Sequence, residues 1–146
     1  MTPTLAGRIQ TRLLLIAYVG ITWTLMVVPL LPAVPDYLTG VRSGLVALGV
    51  TATVGIAWEL GYHLAQQLRW EKDWPILFGL ATGVTEGLVV HRIVGSLADR
   101  AELVPRVDAT AFWIHFGSTW LVLWLVANGP LRVASLRWRY RGGRFS

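Results

Sequence analysis

Glu59, Glu86, His63, His91 and His115 are ionisable residues set inside long apolar stretches, and they are the side chains through which this chain could do chemistry. Thr51, Gly55, Glu59, His63 and Gln67 recur at strict spacings of four, and so do Gly79, Gly83, Gly87, His91 and Gly95. Residues four apart lie nearly one above another on a helix, so the first set forms a polar stripe and the second a bare one. Folded back about the charged turn at 69–74, the two helices bring Glu59 and Glu86 to one level. At 1.5 Å per residue they lie roughly 12 Å and 16 Å inside their helices. Two carboxylates there cannot both be cheaply ionised unless they share a proton, a cation or a basic partner. Ionisable groups at that depth mark function as a rule, which makes Glu59, Glu86 and His63 candidates for a proton or cation site. The bland alternative is a neutral carboxyl pair, hydrogen-bonded between helices for packing alone.

His91 and His115 form a second depth-matched pair, each roughly 9 Å inside the end of its helix. Two such histidines could clamp the iron of a haem b axially, with Arg92 meeting a propionate. A packing role for both rings is the simpler expectation, and no cofactor is expected. Glu59 with His63 invites comparison with carboxylate-bridged di-metal helices, but those use four carboxylates and Glu-x-x-His spacing. Here two carboxylates are at the right depth and the spacing is Glu-x-x-x-His. No phosphate-binding glycine loop, nucleophile elbow or HExxH stands in the sequence, so the expectation is a protein that is not an enzyme.

The elements that must position these residues are membrane helices. Of the 146 residues, 54% are hydrophobic and 14% charged, a balance that belongs in a bilayer. With no cysteine, disulfides and thiolate chemistry are excluded. The periodicity predicts an all-α, single-domain chain, 1–146, with spans at about 12–34, 44–67, 75–97 and 109–129 and a tail at 130–146. Residues 1–12 read as a short polar leader with Arg8 and Arg12. Pro29, Pro32 and Pro35 should kink or end the first span in its last third. Asp36 to Arg42 reads as a loop. Asp108 and Thr110 offer capping oxygens to the fourth span, and Gly129-Pro130 should stop it.

Four spans put nine Lys and Arg residues on one side and three on the other, which predicts an N-in/C-in four-helix bundle in a bacterial inner membrane. The tail interleaves Arg137, Arg139, Arg141 and Arg144 with Trp138 and Tyr140. Such a segment suits anionic lipid headgroups, and direct contact with nucleic acid is not expected. Gly79, Gly83, Gly87 and Gly95 form a helix-packing face, within the chain or across a homo-oligomer.

Tyr62-His63-Leu64-Ala65, then Trp74, then Gly83-Val84-Thr85-Glu86-Gly87-Leu88-Val89-Val90, resembles the core of the Spd-type "spread" membrane proteins of actinobacterial conjugative plasmids. The likeness covers some 30 of 146 residues, and Glu86 stands where that pattern has Asp. It departs also at Ala81-Thr82, where Leu-Ser would be expected. The resemblance implies a non-enzymatic helper of DNA spread, acting through other membrane proteins. The reading is therefore an interaction or accessory subunit of the inner membrane. The competing readings are a proton- or cation-handling unit on Glu59 and Glu86, a bis-histidine haem electron carrier, and a phage holin.

Overall fold

The structure, a computed structural model, describes residues 4–67, 76–100, 104–106 and 108–134. All regular structure among the described residues is helical, in four helices: α1 (Leu5–Leu30), α2 (Tyr37–Gln67), α3 (Ile76–Arg100) and α4 (Ala109–Ala134). Three of them, α1, α2 and α4, are long and apolar enough to cross a membrane. Among the described residues α3 is not one of the three.

The first helix begins earlier than its apolar run. Thr4 caps it, accepting a hydrogen bond from the Gly7 amide at 3.2 Å, so Arg8 and Arg12 are helical residues and not a polar leader. The helix widens into a π turn at Ile16–Gly20 and tightens into a 3-10 turn at Val28–Leu30. Pro29 lies in that last turn and Pro32 follows it, which is where the missing amides end the helix. Ala33 then takes a left-handed backbone, φ 54°, to reverse the chain.

Capped by Asp36, α2 starts at Tyr37, seven residues before the expected start of the span at 44. The Asp36 carboxylate accepts from the Thr39 amide at 2.9 Å and the Thr39 hydroxyl at 2.6 Å, so the segment expected to be a loop is the first turn of a helix. Asp108 caps α4 in the same way, accepting from the Thr110 amide at 2.8 Å. At Gly129 the helix breaks but does not stop. Pro130 fits the first position of a new turn, and that turn runs to Ala134.

Arg12, Glu59, Glu86 and Trp120 lie at one level of the structure, and Thr24, Gly44 and His115 at another. By these levels α1 runs in one direction and α2 and α4 in the other. The buried apolar core is Ala47, Val90, Phe112 and Phe116. The α4 aromatics stack along it, Phe112 on Phe116 at 5.7 Å and Phe116 on Trp120 at 5.9 Å. Large apolar side chains such as Tyr18, Met26, Leu30, Leu64 and Val84 face outward. That inversion of the usual pattern suits a lipid surroundings better than an aqueous one.

Candidate functional site

The residues that bear charge inside the helices converge on Arg12. Its guanidinium forms an ion pair through Nη2 with Oε1 of Glu86, which is 0% exposed, and through Nη1 with Oε1 of Glu59 at 3.4 Å. Arg8, one turn earlier on α1, places Nε 3.3 Å from the other oxygen of Glu59. The Arg12 guanidinium also lies over the Trp120 ring, 5.1 Å from its centroid, a cation–π contact. Two guanidinium groups thus answer two carboxylates, a formal balance of two positive and two negative charges when all four are ionised.

Local sequence explains each position. Arg8 and Arg12 lie one above the other because they are four apart on α1, and Gly55 and Glu59 do the same on α2. A Cβ at 55 would collide with the Arg12 guanidinium, so the missing side chain at Gly55 is the gap through which Arg12 reaches α3. On α3, Gly83 and Gly87 flank Glu86. A Cβ at 87 would meet Phe116 at 2.7 Å and Trp113 at 2.8 Å, and one at 83 would overlap the Trp120 indole. The bare face seats aromatic rings of α4. Gly79 meets Trp124 only at ordinary contact, 3.8 Å, and a Cβ at Gly95 would find nothing within 4 Å.

A cavity of about 220 Å³ borders the cluster, lined by Arg8, Arg12, Glu59, Leu15, Trp120 and Trp124 among others. Glu86 keeps its second oxygen, Oε2, buried with no hydrogen-bond partner among the described residues. Chemically the arrangement can hold fixed charge in a dry interior, or exchange one carboxylate contact for another beside a cavity large enough for water. His63 lies half-buried one turn beyond Glu59, and no group of three His, Asp or Glu suited to a metal occurs among the described residues. Arg92, the cation nearest in sequence to Glu86, is exposed on α3, and the partners of the carboxylates come from α1.

The two histidines proposed as haem ligands sit at the other level. His115 is buried, and its Nε2 shares a hydrogen bond of 2.8 Å with the Thr24 hydroxyl, which in turn donates to the Gly20 carbonyl at 2.9 Å. A Cβ at Gly44 would stand 3.1 Å from that same nitrogen. His91 packs against the rings of Phe112 and Trp113, at 4.7 Å and 5.7 Å. Both line a cavity of about 50 Å³, room for a few waters and far short of a porphyrin. Arg106 pairs with Asp99 at the exposed end of α3. Arg137, Arg139, Arg141 and Arg144, with the turn at 69–74, lie outside the described residues.

Arg8, Arg12, Thr24 and Trp120 are the site residues that spacing alone does not single out. One signal does point to the arginines. Two interior carboxylates need two cations, and Arg8 and Arg12 lie at matching depth once the helical period is carried back from Leu13 to Leu5. No family model matches the sequence, and no curated protein and no solved structure matches it either.

Proposed function

We propose that the chain is a four-span helical bundle of the bacterial inner membrane, both termini cytoplasmic, that works without catalysis as an accessory subunit. The observation that carries this is the charge balance at Arg12. Carboxylates in α3 and α2 would oppose insertion if left alone, and the α1 guanidinium groups answer both, which allows α3 to serve as the fourth span. The cluster holds α1 against α2 and α3. Its charges are spent inside the chain, which leaves an apolar outer surface for lipid and for other membrane proteins or a second copy. The basic tail adds anionic headgroups as partners. Help in conjugative DNA spread is the role that the Spd-type resemblance suggests, and two of its motif residues, Gly83 and Glu86, are site residues here. Purification in mild detergent tests the reading. A complex heavier than one chain, of fixed stoichiometry, is expected, and a stable lone monomer would count against it.

A second reading, a proton- or cation-handling unit, is favoured by one feature. Glu86 Oε2 is buried without a partner among the described residues while a cavity of about 220 Å³ borders its Arg12 partner. Sites kept only for stability are better built from apolar residues, so four ionisable groups in a helical interior argue for a use.

A further inference from the structure

We propose that the helical interior contains a proton path, running from the Arg12–Glu86 cluster past Trp120, Thr119 and Thr51 to His115 and the opposite helix ends. This rests on the second reading above and deepens it, naming the species carried and the route.

Three cavities follow one another along the helices. The first, about 220 Å³, borders Arg8, Arg12 and Glu59. The second, about 10 Å³, is lined by Thr51, His115, Thr119 and Trp120. The third, about 50 Å³, is lined by Ser43, His91, His115 and Arg106. Trp120 and Leu123 are walls of both the first and the second, and Ala47 and His115 are walls of both the second and the third. Their order matches the order of residues along α2 and α4, so they form one line and not three scattered gaps.

Polar atoms mark that line. Trp120 and Thr119 line the cavities, and their Nε1 and Oγ1 atoms are buried with no hydrogen-bond partner among the described residues; Glu86 Oε2, behind Arg12, is buried in the same way. Buried polar groups in proteins are almost always bonded, to water where no protein group serves. Thr51 bonds back to the Ala47 carbonyl at 2.7 Å, and Thr24 holds His115 at 2.8 Å, which adds hydroxyls beside the narrow cavity and beyond it. Apart from these groups and Thr11 the walls are mostly apolar, which favours water along this line.

The width selects the species. About 10 Å³ is the space of a single water, too little for a hydrated metal cation. A proton passes such a point by hopping. One O–H bond forms on the receiving oxygen as another breaks on the far side, so one proton leaves for each that enters. Reorientation of the water and hydroxyls resets the line, and the only driving force needed is a proton gradient or membrane potential. The charged and titratable groups lining the cavities are Arg8, Arg12 and Glu59 at one end, His115 in the middle, and His91 and Arg106 at the other, with Glu86 behind Arg12 as its ion-pair partner. Each arginine of the cluster has a carboxylate partner, which offsets the positive barrier it would otherwise present.

Full-length protein in lipid vesicles with an internal pH-sensitive dye, driven by a potassium diffusion potential, tests the path. Wild type should move protons faster than protein-free vesicles. Thr119→Val should slow the flux about tenfold, the effect of losing one hydrogen-bonding link from the line. Thr119→Ser, which keeps the hydroxyl, should restore it. Thr51→Val, on the same narrow cavity, serves where Thr119→Val does not fold. Wild-type proton flux equal to that of empty vesicles overturns the path, and with no movement of sodium or potassium above that of empty vesicles either it overturns the reading beneath it. Flux lost in Glu86→Gln yet unchanged in both threonine variants overturns the route and leaves the reading standing. Sodium moving as fast as protons overturns the path as a mere leak.

Discussion

Arg12 of the first helix and Glu86 of the third, 74 positions apart in the chain, form an ion pair that is closed off from solvent on the carboxylate side. Desolvating either charge alone would cost several kcal/mol, and the attraction between them offsets that cost only while both are present. The pair is therefore a condition on the fold. Glu59 and Arg8 extend it to α2 and back to α1.

Arg12→Gln should destabilise the protein by about 3–5 kcal/mol, because it leaves Glu86 as a buried charge without its partner. Arg12→Gln combined with Glu86→Gln should recover most of that loss, since two neutral amides remove the uncompensated charge. Thermal unfolding in detergent of the two singles and the double forms a mutant cycle. Equal and additive losses would show that the two side chains do not act as a pair.

How much of this was legible beforehand divides along physical lines. The helical content follows from runs of apolar residues, which need no partner to be recognised. Glu59 and Glu86 at one level follow from the rise of a helix and the position of the turn between them. Arg8 and Arg12 were hidden because a polar leader and a helix whose charges are answered elsewhere look alike until the partner is known. The start of α2 at Tyr37 was hidden because Asp36 reads as a loop residue unless its bonds to Thr39 are seen. The pairing of His115 with Thr24 depends on how α1 and α4 face each other, which no local spacing encodes.

Among the glycines, space decides the outcome. Gly83→Leu should cost at least 1–3 kcal/mol by forcing Trp120 off its seat, in line with overpacked interiors. Gly55→Ala should be similarly harmful by displacing the Arg12 guanidinium. Gly95→Leu, with nothing within 4 Å of its Cβ, should be close to neutral. Thermal stability in detergent compares all three, and a loss at Gly95 matching that at Gly83 would show that both face a neighbouring helix.

The two helix caps should give the protein an acid-sensitive component. The Thr39 hydroxyl and amide hold the Asp36 carboxyl below its ordinary value of 3.8, and Thr110 does the same for Asp108. A carboxyl with a lowered folded-state value binds its proton more tightly in the unfolded chain. Its contribution is therefore complete above the ordinary value and is lost as the pH falls through the lowered one. Asp108→Asn keeps a capping oxygen that does not titrate, so the variant should lose less stability than wild type on acidification. Melting followed by circular dichroism on both sides of that range measures the difference.

Orientation rests on cations that are not all equivalent. Of the nine Lys and Arg residues assigned to the cytoplasmic side, Arg8 and Arg12 are engaged with Glu59 and Glu86 inside the helices and do not face headgroups. Setting them aside leaves seven against three, still an excess in the same direction. Reporter fusions at Ser146 and near Arg100 should accordingly give opposite signals, cytoplasmic at the first and external at the second. Removing tail arginines should weaken that bias, whereas Arg12→Gln should alter stability and leave the orientation unchanged. If α3 did not span, the described helices would cross three times, and fusions after α3 would report the opposite sides. That reversal is the outcome that would remove Glu86 from the bilayer and end the argument that its charge must be answered there.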